Sequence, residues 1–257
     1  MEVVWGARTD RGRVRDLNED ALLTQPPVFL VADGMGGYES GETASAAVVE
    51  QFATAGVADV TPEWITQRLA LANAQIRGGA GGGTTAAGAA LVQRDGRPYW
   101  LVFNIGDSRV YLSSGPDLRQ ISVDHSVVQE LVDAGKLTPQ RARTHPERHI
   151  VTKAIGTPDE PRPDFWLVPR EPGDRLLLCS DGVTGELDDA AIADTLRGPE
   201  SAQDVADRLT TRALDAGGRD NITCVVIDVL TAGDETADRG LREDRDDTRP
   251  RTRWAPG

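Results

Sequence analysis

Cysteine, histidine and lysine are scarce in this chain, with two, three and two representatives among 257 residues, and each scarcity removes a chemistry. Cys179 and Cys224 lie in strand-like apolar runs, where a small buried thiol is the expected state, and no disulfide is predicted. Neither cysteine is followed at the required distance by the arginine of a Cys-x5-Arg loop, so cysteine-dependent phosphate chemistry is excluded. Lys136 is followed by Leu137 and Lys153 by Ala154, so no nucleotide-binding loop ending in Gly-Lys-Ser/Thr exists. His125, His145 and His149 show no Asp-x-x-His arrangement, which leaves Gly106-Asp107-Ser108 without the base that a serine triad needs.

Long apolar runs are missing too. No stretch of about 18 apolar residues occurs, and Met1–Trp5 lacks the basic and apolar regions of a secretion signal, so no membrane insertion and a cytoplasmic location are expected. Positive charge is in deficit: 28 Lys and Arg face 41 Asp and Glu, a net charge of −13, and such a field repels phosphate backbones. Nucleic acid is therefore not an expected partner. What remains is the composition of a soluble globular protein, 39% apolar and 27% charged, long enough for one large domain or two small ones.

Local signals give a mixed α+β architecture with strands concentrated mid-chain. Apolar runs at Val28–Val31 and Tyr99–Ile105 read as strands that empty into Asp33-Gly34 and Gly106-Asp107. Asp95-Gly96, between Thr84–Val92 and Tyr99–Ile105, supplies the positive φ values of a type I′ hairpin, so those strands should pair antiparallel. Thr61-Pro62 opens a helix with Ile65, Leu69, Ala72 and Ile76 in helical spacing, and a second helix is expected over Thr43–Ala55. Ser201-Ala202-Gln203-Asp204 resembles a capping box for a helix to about Leu214, before a last strand at Ile222–Leu230. Gly78–Gly83 reads as a mobile loop, with a backbone phosphate cradle as the alternative. From Thr231 onward the composition is too polar to bury a core, so 231–257 is expected to be a disordered polar tail. Asp244-Arg245-Asp246-Asp247-Thr248 matches an aspartyl-phosphate motif by letters, but no strand positions it there.

Acidic residues recur beside glycine or at strand ends, in Asn18-Glu19-Asp20, Asp33-Gly34-Met35-Gly36-Gly37, Gly106-Asp107-Ser108-Arg109, Ser180-Asp181-Gly182 and Arg219-Asp220-Asn221. Singly each is ordinary turn chemistry. Together they can place carboxylates along one edge of a sheet pair, where two bare charges about 4 Å apart repel by about 4 kcal/mol at an effective dielectric near 20. Such a cluster needs cations, and oxygen ligands without cysteine or neighbouring histidine favour Mg²⁺ or Mn²⁺ over zinc.

These blocks, with Thr9-Asp10-Arg11-Gly12-Arg13-Val14-Arg15 before them and Gly83-Thr84-Thr85 among them, resemble the metal-dependent protein phosphatase (protein phosphatase 2C) family in its bacterial form, from about Val4 to Val229. The resemblance implies a four-layer α-β-β-α sandwich, two central antiparallel β-sheets flanked by helices, over residues 1–230, with a flap subdomain at about 124–157. It implies hydrolysis of phosphoserine and phosphothreonine by a metal-activated bridging water at a centre of two Mn²⁺ or Mg²⁺ ions. Asp33 would bridge both ions, Asp181 and Asp220 would complete the first, and the Gly34 carbonyl would bind the second. Glu19 and Asp20 would act through waters, Asp107 with Asp181 would form a third, weaker site, and Arg15 would bind the phosphate. Many eukaryotic relatives carry a histidine, thought to act as general acid, where this chain has Met35. His145 and His149, in the flap, are assigned structural roles. Expected partners are phosphorylated proteins, serine/threonine kinases and their substrates among them, for a monomeric enzyme. Two other readings stay open: an inactive member of the fold acting as a regulatory binding protein, and a phosphatase for a stress-signalling switch protein.

Overall fold

The computed structural model describes residues 2–36, 40–53, 59–79, 81–230 and the backbone of 252–253. Three strands open the chain, β1 (Val3–Asp10), β2 (Asp20–Gln25) and β3 (Val28–Met35), followed by helices α1 (Ser40–Ala53) and α2 (Pro62–Gly78). Five strands follow: β4 (Gly83–Thr84), β5 (Ala86–Arg94), β6 (Arg97–Ile105), β7 (Arg109–Ser114) and β8 (Asp117–Gln120). Short helices α3 (Val127–Asp133) and α4 (Pro139–Ala142) lead to β9 (Asp164–Pro169) and β10 (Arg175–Cys179). Helices α5 (Asp181–Thr184), α6 (Asp189–Leu196) and α7 (Ala202–Ala216), strand β11 (Ile222–Val229) and the two-residue β12 (Thr252–Arg253) complete the order.

The strands form two antiparallel sheets, one in the order β1-β11-β10-β7-β8 and one in the order β12-β9-β6-β5-β3-β2, with β4 paired to β3. Strands therefore span the chain and are not concentrated mid-chain; β1 joins β11, so the first and last long strands are neighbours. Alternation of apolar residues builds the layers. Phe29, Trp100, Val102, Leu176 and Val225 fill the space between the sheets. Leu30, Leu101 and Phe103 point outward to meet α1 and α2 at Val48, Phe52, Ile65 and Leu69. On the other side Leu177, Cys179 and Val226 meet α6 and α7 at Ile192, Val205 and Leu209. This is the expected α-β-β-α sandwich. No helix among the described residues is long and apolar enough to cross a membrane.

Local signals act where they were read. Asp95 (φ 52°) and Gly96 (φ 72°) form the two-residue turn between Arg94 and Arg97. Thr61 caps α2, its hydroxyl accepting the Trp64 N–H at 3.2 Å, and Ser201 caps α7 by accepting the Asp204 N–H at 3.1 Å. Cys179 and Cys224 are free, buried and opposite one another in register.

The glycine run is anchored at both ends, with Ala80 outside the described residues. Gly78 ends α2, while Gly83 pairs with Met35 as part of β4. A Cβ at Gly82 would lie 2.7 Å from the Ser40 carbonyl oxygen, so close backbone packing against the start of α1 requires glycine there. Both ends of the expected flap are tied to the core or to each other, by bridges Ser126–Val151 and Thr84–Ile155. Within the expected polar tail, Thr252 and Arg253 pair with Leu167 and Trp166; the rest of 231–257, including the Asp244–Thr248 motif, lies outside the described residues.

A Cβ built on Gly88 would sit 2.1 Å from Cζ of the buried Phe103 ring. Gly88→Ala should therefore cost about 1–3 kcal/mol in urea unfolding, and adding Phe103→Leu should recover part of that loss. A Gly88→Ala variant of unchanged stability would contradict this packing.

Candidate active site

Antiparallel pairing brings the exits of some strands beside the entrances of others, and the acidic blocks occupy such positions at one end of the sandwich. Asp33 stands near the end of β3, directly opposite Asp20 at the start of β2. Asp107 follows β6, Asp181 follows β10 after Ser180, and Asp220 precedes β11. A cavity of about 510 Å³ opens there, lined by Arg15, Glu19, Asp33, Gly34, Asp107, Asp181 and Asp220. Of the eight residues assigned to metal or phosphate binding, seven are in that lining and Asp20 is not; its Oδ1 is buried.

Neutral side chains hold these backbones in place. The Asp33 N–H donates to Thr85 Oγ1 at 3.0 Å, while Thr84 Oγ1 and the Thr85 N–H both donate to the Asp33 carbonyl at 2.9 Å. The Gly83-Thr84-Thr85 block therefore acts by fixing Asp33. Thr85 and Ser108 share a hydroxyl hydrogen bond of 2.7 Å, which links the Asp33 strand to the Asp107 loop. Gly106 (φ +107°) makes that loop possible, since a Cβ would stand 2.5 Å from Thr85 Cγ2. Ser180 Oγ donates to Asp20 Oδ2 at 2.8 Å and accepts the Thr223 N–H at 3.0 Å. Asn221 accepts the Glu19 N–H at 2.8 Å and donates to the carbonyls of Leu17 at 2.8 Å and Arg11 at 2.9 Å. Gly34 donates its N–H to the Glu19 carbonyl at 3.1 Å.

Charge is unevenly balanced in the cavity. Arg15 Nη2 pairs with Asp220 Oδ2 at 2.7 Å, an ion pair half open to solvent that raises the guanidinium pKa. His149, expected to be structural, is 58% exposed at the cavity mouth with Nδ1 3.8 Å from Asp181 Oδ2. Asp33, Asp20 and Asp107 have fewer counter-charges. Burial first, then the charges of Asp20, Asp181 and Asp107, pushes Asp33 well above the usual carboxylate range. Burial and then Asp181 do the same to Asp107. Burial raises Asp20 to about 7 against the opposing hydrogen bonds from Thr223 and Ser180.

The donor set fits divalent cations. It consists of oxygens, and the buried Asp20 Oδ1 has no hydrogen-bond partner among the described residues, which is the condition of a hard-cation site and an unfavourable one for an unpaired carboxylate. As they stand, no three acidic, histidine or cysteine side chains among the described residues are gathered closely enough to clasp one ion.

A carboxyl whose pKa is higher in the folded chain contributes stability that is complete below its unfolded value, about 3.9 for Asp, and that is lost as pH rises through the folded value. With Asp20 at about 7, the metal-free protein should lose stability between about pH 4 and pH 7. In EDTA its thermal midpoint should be higher at mildly acidic than at alkaline pH, and Mn²⁺ should raise the midpoint more at the alkaline end. A metal-free midpoint that climbs over that range, with no response to Mn²⁺, would contradict the carboxylate cluster.

The chain is similar to known proteins over most of its length. The family model for protein phosphatase 2C matches residues 11–225. The serine/threonine phosphatase stp of Listeria welshimeri is 34% identical over 240 residues, covering 86% of this chain and 94% of that one. The Mycobacterium tuberculosis phosphatase PstP is 39% identical over 240 residues, covering 88% of this chain and 45% of its own length. The crystal structure of the Mycobacterium tuberculosis phosphatase PstP/Ppp superimposes with a TM-score of 0.81 at 34% identity, covering 89% of this chain and 99% of that one. A structure of the PstP catalytic domain in complex with two manganese ions has a TM-score of 0.76 at 34% identity, covering 89% and 99%. Sandwich, acidic cavity and matched span lead to one conclusion: the chain belongs to the protein phosphatase 2C family, in its bacterial form.

Proposed function

We propose that the chain is a metal-dependent phosphatase that hydrolyses phosphoserine and phosphothreonine in proteins, serine/threonine kinases and their substrates among them. The observation that carries this reading is the convergence of Asp33, Asp107, Asp181 and Asp220 on one cavity beside Arg15. Asp33 would hold two Mn²⁺ or Mg²⁺ ions, with Asp181 and Asp220 on the first and the Gly34 carbonyl on the second. Glu19 and Asp20 would act through intervening waters, and Asp107 with Asp181 would hold a third, weaker ion. When bound, the ions supply an activated water nucleophile and neutralise phosphoryl charge.

The chain's own residues orient the ester. Arg15 presents a planar fork of donors suited to two phosphoryl oxygens, and its pair with Asp220 aims that fork across the cavity mouth. Phosphate and Asp220 would compete for the guanidinium. Asn221 keeps Arg11, Leu17 and Glu19 on one frame and thereby fixes the ends of the loop that carries Arg15. Met35 lines the same cavity and carries no acidic proton, so water would protonate the leaving alkoxide, or substrates with good leaving groups would be preferred. The enzyme works as a cytoplasmic monomer in which residues 1–230 form the phosphatase domain and about 124–157 its flap.

Asp33→Asn and Asp181→Asn should each lower Mn²⁺-dependent hydrolysis of p-nitrophenyl phosphate by about 10²–10³-fold or more. Arg15→Ala should act mainly on KM for a phosphothreonine peptide. Undiminished turnover in either aspartate variant would overturn the assignment. If water supplies the proton to the leaving oxygen, log kcat/KM across aryl phosphates should fall steeply as the leaving-group pKa rises; a flat series would place a proton donor in the site.

A further inference from the structure

Gly106 is buried between the end of β6 and Asp107, and both of its backbone polar groups meet His125. The Gly106 N–H donates to His125 Nδ1 at 3.1 Å, and the His125 N–H donates to the Gly106 carbonyl at 2.9 Å. Building on the phosphatase reading, we infer that His125 is a positioning residue for the reaction: its ring holds the Gly106 peptide, and that peptide sets the Asp107 carboxylate for the third, weaker metal ion.

Asp107 depends on its neighbours for its place. Beyond the cost of burial, the charges of Asp181 and Asp124 act against its carboxylate and that of Arg109 acts for it, so the restraint comes from the chain on either side. Ser108 is tied to Thr85 by the 2.7 Å hydroxyl bond, and Gly106 is tied to His125. Gly106 carries no side chain to restrain its φ of +107°, so its hydrogen bonds do so. Asn104 Nδ2 shares the Gly106 carbonyl at 3.0 Å, whereas the N–H has the ring nitrogen as its acceptor. The ring is itself fixed, since His125 is only 7% exposed. A ring nitrogen that accepts carries no proton, so the proton of the neutral ring is on Nε2. Nε2 faces Asp164 Oδ2 at 3.5 Å and Lys153 Nζ at 3.1 Å. Asp164 opens β9 and Lys153 lies near the end of the flap, so two further elements grip the ring. His125 does not line the catalytic cavity and therefore acts through Gly106, not on the substrate.

The test compares His125→Asn with His125→Leu in the full-length protein. The two new side chains have nearly the same shape, and both remove the ring while keeping the backbone bond to Gly106; only Asn presents an acceptor where Nδ1 stands. Calorimetric titration of the wild type with Mn²⁺ should show two tight steps and a weaker one. His125→Leu should weaken the weaker step about tenfold, the lower end of what partners of metal-holding residues contribute, and leave the tight steps unchanged, while His125→Asn should restore most of that loss. Turnover of a phosphothreonine peptide at fixed Mn²⁺ should follow the same order. The double variant Asp107→Ala/His125→Leu should be no worse than Asp107→Ala alone, because one residue acts through the other. Losses that multiply in the double variant, an Asn variant as impaired as the Leu one, or a weaker step that ignores both would overturn the inference while leaving the phosphatase reading intact. So would a wild type that binds two ions and no third. If His125→Leu does not fold, the wild type still decides: a long-range ¹H–¹⁵N spectrum, assigned by comparison with His145→Gln and His149→Gln, should show the His125 proton on Nε2, and a proton on Nδ1 would overturn the inference. A wild type with neither Mn²⁺ binding nor Mn²⁺-dependent turnover would remove the phosphatase reading and this inference with it.

Discussion

Repulsion between carboxylates that the fold crowds together is the constraint on which this site depends. Asp20 and Asp33 face each other across β2 and β3, and Asp107, Asp181 and Asp220 are delivered to the same end of the sandwich by β6, β10 and β11. Each raises the proton affinity of its neighbours: the charges of Asp20, Asp181 and Asp107 all act on Asp33, and Asp181 acts on Asp107. A protein of net charge −13 gains nothing electrostatically by adding to that crowding. Divalent cations are the partners that would relieve it.

The core makes this crowding affordable. Two sheets packed through Trp100, Phe29 and Leu176, with helices on both outer faces, hold the strand ends against the repulsion. Hydroxyl and amide side chains do the finer placement. Thr85 fixes the backbone of Asp33, Ser180 the side chain of Asp20, and Asn221 the loop that carries Arg15. None of these is charged, so they position acidic groups without neutralising them.

Much of the fold was legible because its signals are local. Asp95-Gly96, Thr61-Pro62 and Ser201 each depend on residues within a few positions, and each acts where it was read. The acidic blocks were legible for a different reason: glycine beside an aspartate at a strand end marks a place where backbone and charge must meet. The positioning network was not legible. Asn221 reaches Glu19 across 202 residues and Ser180 reaches Asp20 across 160, and no spacing rule connects such pairs, although Ser180 and Asn221 stand inside blocks that had already been noticed. His149 gave no sign either, since its place beside Asp181 is set by how the flap folds over α5. At the end of the glycine run, Gly82 and Gly83 are small so that α1 and β3 can approach, a reason for glycine that a string of glycines does not itself announce.

The most direct measurement is anomalous diffraction at the manganese edge from crystals grown with Mn²⁺. Two peaks about 3.5–4 Å apart, flanking Asp33 in the cavity shared with Asp181 and Asp220, are the expected result. A map with the protein well ordered and no manganese against Asp33 would contradict the binuclear centre at its root.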